Sequence, residues 1–263
     1  MQPQDLINFL DQKAIVYEQT EFIKNDPISI PHLFKKKEDI EISGFLIATI
    51  SWGNRLSIIN SGKRMMDLMG YDPYHFVISY SKKDLNKISS FIHRTFNGID
   101  FQYFIKSLRN IYQNHGGLEK AFSYYPKAQR MDENIHYFRK LFFELDHQKR
   151  TMKHVSDPLS GSAAKRLNMY LRWMVRSSKN KVDFGLWNRI KPKQLSCPLD
   201  IHSGNVARKL GILRRNQNDQ KALKELDEVL RSFDPKDPAK YDFALFGLGV
   251  YEDFNRNDFK SKL

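Results

Sequence analysis

The stretch Asp157-Pro158-Leu159-Ser160-Gly161-Ser162-Ala163-Ala164-Lys165-Arg166-Leu167 decides how this sequence is read. It is a tight turn running into a helix. Gly161 sits where the backbone must bend, and a residue without Cβ bends most freely. The amides of Gly161, Ser162 and Ala163 would then face outward at a helix N-terminus, a ready site for phosphate. Helix, turn and helix with such a tip can grip a DNA backbone without reading its sequence. Many helix connections contain glycine, so the turn alone is not specific. The helix that follows is clear: Leu167, Tyr170, Leu171, Met174 and Val175 recur at spacings of three and four.

Helical spacing recurs on both sides, and period-two runs of β-branched residues are almost absent. Residues 41–50 are apolar on nearly all sides and read as a buried helix. Further helices are expected over residues 56–69, 82–96, 101–114, 118–125, 133–145, 164–177, 201–210, 219–233 and 238–248. That is about ten helices without a repeat, so the expected class is all-α. Asp26-Pro27 and Ile30-Pro31 mark an extended N-terminal segment. The apolar run at 40–50 is broken by Glu41 and Ser43 and falls short of the ~20 residues of a bilayer span. Residues 1–11 lack the pattern of a signal peptide. The single cysteine, Cys197, excludes an internal disulfide and a four-cysteine metal or iron–sulfur site, and a reducing cytoplasmic setting is expected.

Charge is concentrated. The chain of 263 residues carries 43 Lys+Arg and 30 Asp+Glu, a net charge of +13. Residues 149–215 hold sixteen of the basic residues and three acids, Asp157, Asp183 and Asp200, which is the whole excess. Such a basic stretch in an otherwise neutral chain is the footprint of a polyanion, with nucleic acid as the leading partner. A merely basic, soluble surface is the plain alternative.

A second segment gives the turn its meaning. It reads Cys197-Pro198-Leu199-Asp200-Ile201-His202-Ser203-Gly204-Asn205. With the Leu159–Ala163 turn and Lys165 two residues beyond it, this segment resembles the helix-hairpin-helix DNA glycosylases. Their signature is a Leu-Pro-Gly-Val-Gly hairpin, a lysine two residues on, and a Pro-(Val/Leu)-Asp-x-His segment downstream. The run Tyr241-Asp242-Phe243-Ala244-Leu245-Phe246-Gly247-Leu248-Gly249 resembles the last core helix of 8-oxoguanine glycosylases, the archaeal branch above all. The stretch from Phe45 to Arg55 is similar to an early core helix that meets the minor groove. The chain is also similar to a bacterial subfamily of unassigned function. Ser160 and Ala163 depart from the hairpin pattern, and residues 1–40 match no segment of the family.

The resemblance implies a two-lobed helical fold. Residues 1–40 would be an N-terminal extension. Residues 41–54 and 179–263 would form the lobe carrying Asp200. Residues 55–178 would form the lobe carrying the hairpin at 157–164 and Lys165. It implies a base-excision enzyme with lyase activity on an oxidised purine, acting as a monomer on damaged double-stranded DNA near the nucleoid. Lys165 would attack C1′ of the damaged nucleoside and form a Schiff base, which requires a neutral amine. Asp200 would stabilise the oxocarbenium-like sugar and assist proton transfer; as a plain alternative it is a helix N-cap. Phe246 and Met169 would sandwich the extruded base and Asp242 would bond its edge, against ordinary packing for the first two. Trp52, Asn54 and Arg55 would meet the gap left by the base, with core packing the equal alternative for Trp52. Gly161, Ser162, Ala163 and Arg166 would hold the backbone, and His202 would contact a phosphate or brace the turn, with a purely structural histidine as the equal alternative. The implied ligand list contains no metal ion or iron–sulfur cluster beyond a monovalent cation at the hairpin carbonyls. Three rivals stay open on the residues: a non-catalytic helix-hairpin-helix binder, a glycosylase or lyase for another base, and an RNA-binding or scaffold protein.

Overall fold

The computed structural model describes residues 2–252 and 254. It is mostly helical. In chain order its helices are α1 (Pro3–Tyr17), α2 (Thr20–Lys24), α3 (Lys37–Ile50), α4 (Arg55–Leu68), α5 (Pro73–Ser79) and α6 (Lys82–Ile88). A two-stranded antiparallel hairpin follows, β1 (Ile92–His93) with β2 (Phe96–Asn97). Then come α7 (Gly98–Asn114), α8 (Leu118–Phe122), α9 (Asp132–Phe142), α10 (Lys165–Val175), α11 (Ile201–Lys209), α12 (Gln220–Phe233) and α13 (Tyr241–Tyr251). No helix among them is long and apolar enough to cross a membrane.

α3 is the axis of the larger hydrophobic cluster, and every residue from Asp39 to Ile50 is buried. A helix enclosed on all sides must satisfy its polar atoms internally. The hydroxyls of Ser43, Thr49 and Ser51 donate to carbonyls one turn back, at 2.6, 2.8 and 2.7 Å. Glu41 accepts from Tyr112 Oη at 2.7 Å and Trp187 Nε1 at 2.6 Å, and burial pushes its carboxyl up. Phe45 packs among Phe104, Phe138, Phe142 and Tyr170. Gly44 lets α10 approach closely: a Cβ there would lie 3.1 Å from Met174 Cε and 3.3 Å from the Tyr170 ring. Tyr170 Oη also donates to the Glu41 carbonyl at 3.0 Å. These contacts fix the helix that begins at Lys165.

The smaller cluster is built from α1, α11, α12 and α13, with Leu10, Cys197, Val206, Leu223, Leu226 and Leu245 at its centre. Here α1 crosses α13 at Gly247, where a Cβ would fall 2.1 Å from Tyr17 Cδ2. The chain passes between the clusters at the residues before Lys165. Ala163 is buried in the smaller cluster and Ala164 in the larger. α13 runs along the same seam, with Phe243 facing the larger cluster and Ala244 the smaller.

The division therefore differs from the expected one. Residues 41–54 pack with the middle of the chain, because α3 is apolar on every face and needs the Phe-rich helices around it. Val182, Trp187, Ile190 and Leu195 join them there. The N-terminal forty residues are no appendage: α1 completes the smaller cluster, while Ile28 and Ile30 belong to the larger. Residues 1, 253 and 255–263 of the expected division lie outside the described residues. The Asp26-Pro27 and Ile30-Pro31 steps each place proline first in a single 3-10 turn, a position whose missing N–H costs nothing.

Candidate functional site

The turn before α10 is tighter than the sequence suggests. It is entered from a 3-10 turn, Pro158–Ser160, instead of an α-helix. Asp157 anchors it, accepting from Leu159 N at 3.0 Å and Ser160 Oγ at 3.1 Å. Gly161 is left-handed at φ +92°, and Ala164 follows suit at φ +45°. The Gly161 and Ser162 amides donate inward, to the carbonyls of Pro158 and Asp157 at 3.0 and 3.3 Å. This corrects the expectation that both face outward to a phosphate. Ser162 also bridges to Asp219, with Gln220 N donating to Gly161 O at 3.0 Å. The carbonyls at which a monovalent cation is expected are also engaged in the bonding of the turn. Those of Asp157, Pro158, Gly161 and Ala163 all accept protein donors already. No cluster of metal-ligating side chains occurs among the described residues.

What the turn does accomplish is to aim Lys165. The first residue of α10 opens onto a cavity of about 520 Å³ at the seam between the clusters. Across it stands Asp200, the N-cap of α11. Its Oδ1 accepts from His202 N at 2.8 Å and Ser203 N at 3.0 Å, while its Oδ2 lies 3.8 Å from Lys165 Nζ. The capping role and the facing role thus fall on different oxygens of one carboxylate.

Below this pair, Met169 and Arg172 continue the α10 face at spacings of four and three, and α13 contributes Asp242 and Phe246. Asp242 is buried, and its partner is the Arg172 guanidinium, bonded to Oδ2; Oδ1 faces the Cys197 thiol at 3.8 Å. Burial pushes the Asp242 carboxyl up to about 6, against the pull of Arg172. Burial also works against the charge on Arg172, but Asp183 and Asp242 outweigh it and its pKa rises. Phe246 offers a half-buried ring flanked by Arg55 at 5.1 Å, Phe22 at 6.0 Å and His202 at 6.3 Å.

The structure gathers most of the residues singled out in the sequence. Lys165, Asp200, Met169, Asp242, Phe246, Trp52, Arg55, Ser162, Ala163, Arg166 and His202 all line the cavity. Two do not. Gly161 is at the outer tip of the turn with open space around it. Asn54 caps α4 through Ser57 N at 3.1 Å and faces a separate shallow depression. Its Oδ1 is engaged at the helix start, and the residue does not line the Lys165 cavity. Arg166 is a strut: it bonds the Thr49 carbonyl and lies over Trp52 at 4.9 Å, and burial lowers its pKa to about 10. Trp52 is held between His93 and His154.

Several wall residues escape the sequence reading, Asp26, Phe22 and Arg172 among them. Asp26 is buried, with Oδ1 accepting from Ile28 N at 3.0 Å; burial raises its pKa while Arg172, Arg55 and Lys165 pull it down. Phe22 comes from α2, and Arg172 from α10. A signal existed only for Arg172, a charge seven residues after Lys165 on a helix whose neighbouring positions are apolar.

Fold and site thus describe a mostly helical protein with a lysine–aspartate pair facing a cavity between two hydrophobic clusters. The chain belongs to the DUF2400 family, described as a protein of unknown function, whose model matches residues 26–251. No curated protein and no solved structure matches it. The matched span takes in every residue lining the cavity except Phe22.

Proposed function

We propose that this protein is a base-excision DNA glycosylase with lyase activity at the resulting abasic site, acting on an oxidised purine of the 8-oxoguanine kind in double-stranded DNA. The observation that carries the reading is the 3.8 Å approach of Lys165 Nζ to Asp200 Oδ2 at a cavity walled by Phe246 and Met169. These residues are scattered over about eighty positions of the chain and meet at one cavity. In the proposed reaction the Asp200 carboxylate takes a proton from the lysine ammonium. The free amine adds to C1′, the C1′–N bond breaks and the base leaves with the electron pair. Asp200 hands that proton to the departing base and, as a carboxylate again, stabilises the positive charge developing on the sugar. The bound nitrogen then loses a proton, its electron pair expels O4′, which is protonated as the sugar ring opens, and the C1′=N Schiff base forms; loss of a C2′ proton then drives β-elimination of the 3′ phosphate. Phe246 stacks on the extruded base, and the Arg172–Asp242 pair presents one donor and one acceptor to its edge.

The test is borohydride trapping on duplexes carrying a panel of oxidised purines or an abasic site. Wild type should yield a covalent adduct with at least one of them, and Lys165→Gln should yield none. No adduct across the panel would leave a non-catalytic nucleic-acid binder, the reading to which the basic stretch at 149–215 alone points.

A further inference from the structure

A second cavity of about 740 Å³ lies away from Lys165 and shares no residue with the first. Its wall is formed by residues 126–130, by the segment holding Lys191, Lys193 and Gln194, and by Glu228, Arg231 and Pro235 of α12 and its exit. Arg130 and Arg231 are occupied, because both pair with the buried Asp227, at 3.1 and 3.6 Å. Lys127, Lys191 and Lys193 are different. All three are exposed, and none has a carboxylate within ion-pair distance among the described residues. Against them stands one exposed acid, Glu228, so the cavity presents a net positive charge.

The rim is rigid, which distinguishes it from a spray of surface lysines. Ala128 N donates to Tyr125 O at 3.2 Å, closing a turn with Pro126 and Lys127 at its centre. Gln194 Nε2 clamps that turn through the carbonyls of Pro126 and Ala128, at 3.3 and 2.7 Å. Arg231 holds the opposite rim through the carbonyls of Lys193 and Leu195. The turn starts from an exposed aromatic cluster. Tyr124 stacks on Tyr137 at 3.7 Å, with Tyr125 edge-on to Tyr124 at 4.9 Å. Asn134 fixes Tyr125 by accepting from its N–H and donating to its carbonyl, at 2.8 and 3.1 Å. Two of these rings stay open to solvent, Tyr124 at 55% and Tyr125 at 42%.

Unpaired lysines in a fixed cavity, reached from exposed tyrosine faces, match the needs of a single-stranded polynucleotide. Phosphates take the charge, and unpaired bases stack on rings with little regard to sequence. We propose that the cavity bounded by Lys127, Lys191 and Lys193, together with the exposed Tyr124 and Tyr125 that directly precede its Pro126 wall, binds unpaired nucleotides of a nucleic-acid strand. The site is separate from the Lys165 cavity and does not depend on its chemistry.

Fluorescence anisotropy with a short oligothymidylate and a short oligouridylate tests it, the two arms separating DNA from RNA as the source of the strand. Changing all three lysines to alanine should weaken binding of the preferred oligomer at least tenfold and flatten its salt dependence by about two phosphates' worth. Changing them to arginine should preserve affinity. Tyr125→Ala should cost about tenfold and Tyr125→Phe little, because the ring does the stacking. Trapping at Lys165 should be the same in all four variants. Unchanged affinity of the alanine variant for both oligomers overturns the proposal. So does a lysine-dependent loss with Tyr125→Ala unaffected, since a bare phosphate site needs no ring.

Discussion

Lys165 Nζ stands 3.8 Å from Asp200 Oδ2, and the helices that carry the two residues are rooted in different hydrophobic clusters. Their approach is set by the packing of two bodies across a seam, with Ala163 buried on one side and Ala164 on the other. Asp200 divides its duties: Oδ1 caps α11 and Oδ2 faces the amine. Asp200→Asn keeps an oxygen for the cap and loses the charge. On the proposed reading it should slow single-turnover excision about 100-fold or more, with unfolding stability within about 1 kcal/mol of wild type. Asp200→Ala should lose both, with roughly 1 kcal/mol of extra destabilisation from the missing cap. An Asp200→Asn protein as active as wild type would reduce this residue to a cap.

Asp242 predicts a pH dependence. Its folded-state carboxyl titrates near 6, above the ordinary 3.8, so the folded protein holds a proton that the unfolded chain has released. The stability contributed by that proton is full below 3.8 and is lost as pH rises through about 6. Asp242→Asn removes the titration. The melting temperature of Asp242→Asn relative to wild type should therefore climb between pH 4 and pH 7 and level off above. A difference that stays flat over this range would mean that Arg172 holds the carboxylate charged throughout.

The tip of the turn gives a purely conformational prediction. Gly161 has φ +92°, and a Cβ there would meet nothing within 4 Å. Gly161→Ala should cost about 1–2 kcal/mol through backbone strain alone, read from urea unfolding. Lys165 trapping should persist, because Gly161 lies outside the cavity. A cost near zero would show that the turn relaxes out of the left-handed region.

Periodic apolar helices were legible in the sequence, and their ends were less so. Expected helix 164–177 is α10 within two residues at each end, and 201–210 is α11 within one, because Asp200 caps it and Gly211 stops it. Expected helix 82–96 fails beyond Ile88: the chain turns through Ser89 and Ser90 into a hairpin whose Arg94 has φ +54°. Two strands of two residues each leave no periodicity to detect. The short α5, with Pro73 in its first turn, was missed for the same reason. At the site, the residues on α10, α11 and α13 carry local signals in their spacing. Asp26 carries none, since the charges that act on it, Arg172, Arg55 and Lys165, come from segments far apart in sequence. Likewise, the partners of Glu41 lie 71 and 146 residues away.

The seam itself is held by charge, and Arg176 is its tightest knot. Its guanidinium bonds Glu18 beyond α1 at 2.8 Å, Asp183 at 2.7 Å and Asp237 ahead of α13 at 3.0 Å. Only 5% of the residue is exposed. Arg176→Met keeps much of the volume and strands the carboxylates, which should cost about 3–5 kcal/mol. The deficit should grow with pH. Burial already raises the Asp183 carboxyl, and Arg172 and Arg176 pull it back. Without Arg176 it rises further, and a carboxyl raised on folding contributes stability at low pH that is lost as pH passes its folded value. Urea unfolding at pH 5 and pH 8 measures this. Arg176→Met should be nearer to wild type at pH 5, and adding Asp183→Asn should recover part of the loss at pH 8. An equal deficit at both pH values, unrelieved by the second change, would mean that Arg176 acts through packing of its stem and that the ion network does not hold the seam.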